Sequence, residues 1–161
     1  MKKILHLILL LFVVSSCTED VKFNNPAFQG LKDNVFWRAN AYKAYRSTSD
    51  KMIIEGSLGF EKVVLQIPLP EEKTYILGVD DIAIASYSST LPSADPVEFL
   101  TGTNKGSGQI VIAEYNLENK TISGTFKFNA VNSNETDIDN PKVNFTEGVF
   151  YKIPIELGIE Y

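Results

Sequence analysis

Apolar and polar residues alternate along most of this chain, which is the pattern of strands that bury one face. The clearest example is the segment from Thr121 to Ala130, where Ile122, Phe126 and Phe128 share one face with Ala130. Segments 61–69 and 142–147 repeat this two-residue period. No ten-residue stretch keeps a helical apolar stripe without an interrupting Gly or Pro, so helix is predicted to be a minor component.

Strands are predicted at 35–45, 51–57, 61–69, 74–79, 82–88, 109–116, 121–130, 142–147 and 149–156. This number of short strands favours an all-β fold, an antiparallel β-sandwich of about 8–9 strands, with a β-barrel as the alternative. Two long polar loops interrupt the pattern at 89–108 and 132–141, the first with a short strand at 97–100. Loops of this length are either functional or disordered.

The N-terminus has the layout of a signal peptide. Lys2 and Lys3 precede an apolar run of 11 residues at 4–14. As a helix this run would span roughly 16 Å, whereas a bilayer core is about 30 Å thick. The run is therefore too short for a permanent anchor, and cleavage is expected after the small residues Ser15 and Ser16.

The only cysteine of the chain, Cys17, directly follows these two serines, and the order Val14, Ser15, Ser16, Cys17 resembles the lipobox of bacterial lipoproteins. The resemblance implies a diacylglycerol on the Cys17 thiol, cleavage before Cys17, and acylation of the new amino group by a fatty acid such as palmitate. Two or three acyl chains hold a protein stably on a membrane, whereas one chain is marginal. An ordinary signal peptide with a coincidental cysteine is the alternative.

Acidic residues follow Cys17 almost at once. The order Thr18, Glu19, Asp20 resembles the surface-export signal of Bacteroidota lipoproteins. It implies a lipid-anchored protein of the outer membrane that faces outward. The alternative is that Glu19 and Asp20 only solvate the tether. The expected organisation is a signal peptide at 1–16, the lipidated cysteine and a flexible tether at 17–34, and a β-sandwich domain at 35–161.

Maturation at Cys17 would remove much of the chemistry that enzymes use. It would leave 13 basic and 20 acidic residues, and it would remove His6, the only histidine. Without His or a free thiol, the mature chain cannot form a Ser/His/Asp or Cys/His triad, and it lacks the preferred ligands of zinc and copper. The acidic balance argues against binding to nucleic acid. We therefore expect no cofactor and no nucleic-acid partner.

Three weak candidate sites use other chemistry. Paired carboxylates among Glu55, Glu114 and Glu147 could serve a glycosidase, although solvated strand glutamates are the plainer interpretation. Asp137 and Asp139 are weak calcium candidates in a loop without EF-hand spacing, so no metal is the primary expectation. Tyr42 and Tyr45 are weak ligand-binding candidates that could stack on sugar rings, whereas alternation places Trp37 in the core.

Strand landmarks across nearly the whole mature chain carry a family resemblance. They are Trp37, Thr74, Tyr75, Gly108, Ile110, Ile112, the run 122–126, Phe128, Glu147, Gly148 and Phe150. With the lipobox, they resemble a family of small Bacteroidota lipoproteins that contain a domain of unknown function. The resemblance implies an all-β fold and an envelope location, and it assigns no catalytic residue.

The expected function is that of a non-enzymatic binding or structural accessory, anchored in the membrane through its acyl chains. A glycan or another envelope protein is the expected class of partner. Two alternatives stay open: a carboxylate-dependent hydrolase that acts on envelope glycans, and a purely structural envelope protein.

Overall fold

The computed structural model describes residues 25–156, and this range contains eleven strands and no helix. In chain order the strands are β1 Ala27–Lys32, β2 Val35–Arg38, β3 Ala41–Arg46, β4 Met52–Leu58, β5 Glu61–Ile67, β6 Thr74–Leu77, β7 Ile84–Ser89, β8 Val97–Leu100, β9 Ser107–Asn116, β10 Thr121–Asn132 and β11 Lys142–Glu156. None of the described residues forms a helix long and apolar enough to cross a membrane.

All eleven strands belong to one hydrogen-bonded sheet, in the order β2-β1-β11-β3-β4-β5-β7-β8-β10-β9-β6. Because β10 also pairs with β11, the pairing closes into a ring through β11, β3, β4, β5, β7, β8 and β10. Neighbouring strands are antiparallel except β11 and β3, which run parallel where Ile155 lies opposite Ala44. The all-β prediction is confirmed, and the curled sheet has features of both the sandwich and the barrel alternative.

Aromatic side chains fill the centre of the sheet. Phe128 and Phe145 stack with ring centroids 4.9 Å apart, and Phe126 packs 5.1 Å from Phe28. Trp37 meets the Phe145 ring edge-on at 5.8 Å and is only 2% exposed. Such aromatic pairs contribute roughly 0.5–1.5 kcal/mol each beyond the area that they bury. The prediction that Trp37 belongs to the core is confirmed.

The first strand corrects the predicted extent of the tether. Residues 27–32, which lie within the predicted tether at 17–34, form β1 and pair with both β2 and β11. The segment contains only two large apolar residues, Phe28 and Leu31, between turn-forming neighbours, so no alternation is visible locally. Its order comes from tertiary pairing and from Phe28, which is completely buried.

Two further boundaries differ from the predicted ones. The predicted strand at 35–45 divides into β2 and β3, because the chain turns at Ala39 and Asn40. The two strands predicted at 142–147 and 149–156 are one 15-residue strand, β11. Glu147 has a φ of 51° at the boundary, and the pairing with β10 shifts register there, so a β-bulge continues the strand where two strands were predicted.

The two ends of the sheet differ in what they carry. We call the end that holds the β1–β2 turn, the β4–β5 turn, the β7–β8 loop and the β10–β11 loop the distal end. The described chain enters at the opposite end, because β1 runs from Ala27 towards Lys32 at the distal end. At about 3.3 Å per residue, the five steps of β1 separate the two ends by roughly 16 Å.

Candidate functional site

A cleft of about 340 Å³ opens at the distal end of the sheet. We call it the distal cleft. Its polar lining comes from Lys32, Asp33, Glu61, Tyr87, Ser89, Asp95, Asn140 and Lys142, and its apolar lining comes from Leu91, Ala94, Val97, Phe99 and Val143. Parts of both long loops noted in the sequence, 90–96 and 133–141, contribute to its rim. The volume lies near the lower limit of ligand pockets, which range from about 300 to 1,000 Å³.

A cluster of four side chains from β1, β2, β5 and β7 lies at one wall of the cleft, where Lys32, Glu61 and Tyr87 line it and Trp37 lies behind them in the core. Glu61 is its centre: one carboxylate oxygen accepts hydrogen bonds from the Lys32 ammonium and from the Tyr87 hydroxyl. The other oxygen accepts the indole N–H of Trp37 at 2.9 Å. Lys32 also donates to the Tyr87 hydroxyl oxygen at 2.9 Å and lies 4.9 Å from the centre of the Tyr87 ring.

This arrangement fixes the charge of each member of the cluster. Burial alone would raise the pKa of Glu61, but hydrogen bonds from Lys32, Tyr87 and Trp37 and the Lys32 charge outweigh it, so the pKa lies below its usual value. For Lys32, burial acts to lower the pKa, but the contacts with Glu61 and Tyr87 raise it overall. Burial, followed by the Glu61 hydrogen bond, raises the pKa of Tyr87. At neutral pH the cluster therefore holds an ion pair and a neutral phenol.

Ser89 differs from the other buried polar side chains of the described residues. Thr101 accepts the N–H of Ala85 at 2.9 Å, and Ser123 accepts that of Lys152 at 3.0 Å. Asn132 donates to the Asn140 carbonyl at 2.8 Å. The Ser89 hydroxyl has no such partner within 25–156, although the residue is only 7% exposed.

The Ser89 hydroxyl is also open to the cleft. Every fully enclosed side-chain nitrogen or oxygen atom in the described range has a hydrogen-bond partner, so the unpartnered Oγ must have some access to the cleft that Ser89 lines. Buried polar groups are nearly always paired in native proteins. An unpaired hydroxyl inside a cleft is therefore expected to meet water or a ligand.

The sequence reasoning missed these residues, although one signal was present. Glu61 alternates in step with Val63, Leu65 and Ile67, so it faces inward as they do. A charged residue therefore occupies the apolar face of β5 where this strand begins at the distal end. Lys32 likewise follows Phe28 at even spacing on β1. Charged residues at strand positions that face the core would have marked the site. Only the arrangement of the strands in the folded sheet shows that Lys32 and Glu61 meet.

The tyrosine candidates are separated by the pleat of β3. Tyr42 faces inward and packs against the core, whereas Tyr45 faces outward, where its hydroxyl donates to Glu55 at 3.4 Å. The Lys43 ammonium lies 5.0 Å from the centre of the Tyr45 ring. Burial, with the nearby Glu55 charge, raises the pKa of Tyr45. The two rings therefore do not form one stacking platform, and neither lines the distal cleft.

The three glutamates suggested for hydrolysis lie on β4, β9 and β11, and none of these strands pairs with another of the three. Glu55 contacts Lys43 at 3.6 Å, and Glu114 accepts a hydrogen bond from Asn116. Glu147 lies at the bulge of β11, beside a groove on the outer face of the sheet. The structure does not assemble them as a pair.

The calcium candidates lie in the β10–β11 loop. The Asp137 carboxylate accepts hydrogen bonds from the Asn132 side chain and from the Asn140 backbone at 3.1 Å each, so it stabilises the loop. Across 25–156, no three Asp, Glu, His or Cys side chains gather as a metal site would require. Calcium binding at Asp137 and Asp139 stays a prediction. Cys17 and the lipobox lie outside the described residues.

Comparisons with known proteins give a family but no function. No curated protein and no solved structure matches the chain. A family model described as a domain of unknown function (DUF6252) matches residues 24–154, which include every strand up to most of β11. The predicted membership in a family of unknown function is confirmed, while the Bacteroidota origin and the lipobox stay predictions. The chain therefore belongs to the DUF6252 family of domains of unknown function.

Proposed function

We propose that this protein is a non-enzymatic binding protein of the bacterial envelope, lipid-anchored at Cys17, which captures a small ligand in the distal cleft. The observation that carries the proposal is the Ser89 hydroxyl, which is nearly buried, lacks a partner among the described residues, and lines a cleft beside an ion pair. Concave sites with an apolar wall and a few convergent polar groups are where small molecules usually bind.

The direction in which the chain enters the sheet supports a role at a surface. An anchor at Cys17 would connect to Ala27 through at most ten residue steps, which span up to about 35 Å when fully extended. Because Ala27 lies at the end opposite the cleft, the tether would attach away from the cleft and leave its mouth unobstructed. A site that the anchor does not obstruct suits capture of a ligand from the surroundings of the cell.

The electrostatics of the cleft favour binding over hydrolysis. A general acid must hold its proton near the working pH, and catalysis is helped by a carboxyl pKa raised towards that pH. Glu61 has the opposite arrangement, since three donors hold it as a carboxylate. A substrate would also have to compete with Lys32, Tyr87 and Trp37 for its oxygens.

The single tryptophan of the chain gives a direct test of binding, because its N–H donates to Glu61 in the cluster. The full chain, purified in a detergent without a sugar headgroup, would be exposed to panels of sugars, amino acids, short peptides and nucleosides. We expect one class to shift the Trp37 indole N–H signal in NMR spectra. A panel without any shift would contradict the proposal.

A variant pair locates the binding. Ala94→Tyr places a ring at the rim of the cleft and should abolish the shift, whereas Ser93→Tyr, at the neighbouring exposed loop position that does not line the cleft, should preserve it. A ligand that binds both variants equally would place the site elsewhere. Turnover of aryl glycosides that is lost in Glu61→Gln would instead favour the hydrolase alternative.

A further inference from the structure

The hydrogen-bonding capacity left unused in the distal cleft defines the kind of ligand that fits it. The Lys32 ammonium has three donors, of which Glu61 and Tyr87 take two. The Glu61 carboxylate can accept about four hydrogen bonds, and Lys32, Tyr87 and Trp37 supply three. One donor and one acceptor therefore remain on the two charged members of the cluster.

Ser89 adds a group that can act in either direction. Its hydroxyl has one donor and two acceptor positions, none of which is used within the described residues. Ser89 shares the inward face of β7 with Tyr87, so it lies one inward position from the cluster. The wall thus offers a lone donor, a lone acceptor and an ambivalent hydroxyl close together.

A ligand of a single charge fits this wall poorly. An anion offers only acceptors, so it would compete with Glu61 for Lys32 and be repelled by the Glu61 carboxylate. A cation offers only donors and would meet the same conflict with Lys32. A ligand hydroxyl, in contrast, can accept from Lys32 and donate to Glu61 without breaking their ion pair.

The rest of the cleft agrees with an uncharged ligand. The remaining charged residues of the lining are Asp33, Asp95 and Lys142, so both signs are present. The Asp33 carboxylate accepts the backbone N–H of Asn144 at 3.0 Å, and neither Asp95 nor Lys142 forms an ion pair within 4.0 Å among residues 25–156. The lining beside the cluster is apolar: Phe99 and Val97 on β8 lie next to Tyr87 and Ser89 on β7, and Leu91 belongs to the loop that joins the two strands. This combination suits a compact molecule that presents hydroxyl groups and C–H groups side by side.

We propose, building on the binding function above, that the distal cleft binds one ring of an uncharged carbohydrate. Vicinal hydroxyls of the ring would bridge Lys32 and Glu61 and reach Ser89, and the C–H face would lie on the apolar wall. The ring would belong either to a soluble oligosaccharide or to a surface polysaccharide. The cleft volume of about 340 Å³ accommodates one such ring with a substituent.

The test compares matched sugars on the full chain, with the Trp37 indole N–H as the reporter. Methyl glucoside, galactoside, mannoside and N-acetylglucosaminide form the neutral set, and the corresponding uronate and amino sugar form the charged set. We expect at least one neutral glycoside to shift the signal and to bind at least tenfold more tightly than its charged counterparts. Equal or tighter binding of a charged sugar would overturn the assignment.

Ser89→Ala removes only the unpartnered hydroxyl. It should weaken binding of the neutral glycoside about three- to tenfold, as loss of one hydrogen bond does, without reducing thermal stability. Ser88→Ala, on the outward face of the same strand, is the matched control and should bind as the wild type does. Unchanged affinity in Ser89→Ala would remove Ser89 from the site.

The outcomes separate the ligand class from the function. If no sugar shifts Trp37 but a peptide or nucleoside does, the carbohydrate assignment fails while the binding function stands. If nothing in any panel shifts it, both fail. Soluble oligosaccharides and polysaccharide purified from the bacterial surface, tested in parallel with the same variants, distinguish the two sources of the ring.

Discussion

Lys32 and Glu61 form an ion pair between β1 and β5, although 29 positions separate them in the sequence. The two strands are not neighbours in the sheet. The pair therefore connects side chains across the distal end. Lys32 faces inward on β1 as Phe28 does, and Glu61 faces inward on β5 as Val63 does. The side chains of the pair are about one quarter and one fifth exposed, so it is screened less than a surface pair.

Glu61→Gln should destabilise the protein by about 1–3 kcal/mol, because Lys32 would lose its charged partner while it stays half-buried. Urea unfolding followed by Trp37 fluorescence measures this change. Glu71→Gln is the matched control: Glu71 pairs with Lys73 at 2.8 Å but is 66% exposed, so a change within about 0.5 kcal/mol is expected. Equal effects of the two substitutions would contradict the structural role of the cluster.

The pH dependence of Glu61 follows from the direction of its pKa shift. Because the folded-state pKa is lowered, Glu61 contributes stability that is present above its unfolded pKa of about 4.3 and is lost as the pH falls through the folded pKa. The difference in unfolding free energy between the wild type and Glu61→Gln should be constant from about pH 6 to 8 and shrink below about pH 4. Urea titrations at each pH measure it, and a difference that grows in acid would contradict the assignment.

The sequence predicts a strand of this fold only where the strand's own residues alternate between apolar and polar. In β10, Ile122, Phe126 and Phe128 alternate with polar residues and are all buried as predicted. In β1 the signal is absent, because pairing with β2 and β11 orders a segment whose own residues resemble a tether. Period-2 patterning therefore predicts half-buried strands, but it cannot show strands that tertiary pairing alone stabilises.

The candidate site illustrates the same limit at the level of chemistry. The cluster residues are contributed by four strands, and no local spacing relates Lys32 to Glu61 or Ser89 to either. The sequence did predict long loops at 89–108 and 132–141, and parts of both line the cleft. Loop length therefore indicated the end of the fold at which a site would form, whereas the identity of its residues required the pairing of β5 with β7 and the position of β1.

Alanine substitutions at two glycines should distinguish the cost of a steric clash from the cost of backbone strain. At Gly124 an added Cβ would lie 2.0 Å from the Val111 carbonyl oxygen and 2.5 Å from the Phe150 ring. Gly124→Ala should therefore cost about 3 kcal/mol or more. At Gly59, φ is +58° and no atom lies within 4 Å of the added Cβ, so Gly59→Ala should cost only about 1–2 kcal/mol.

Gly59→Asn completes this comparison, because asparagine tolerates the left-handed region better than alanine. It should be closer to the wild type in thermal unfolding than Gly59→Ala is. A Gly124→Ala protein as stable as the wild type would show that β9, β10 and β11 approach less closely than the structure places them.

Cys17 lies outside the described residues, and its proposed role is testable in cells. Cys17→Ser removes the thiol to which a diacylglycerol would attach, so the protein should leave the membrane fraction or accumulate with its signal peptide uncleaved. Incorporation of a labelled fatty acid should fall to background. Ser16→Ala is the matched control, since it keeps a small residue before the cysteine and should be labelled as the wild type is. Membrane retention and labelling that persist in Cys17→Ser would refute the lipid anchor.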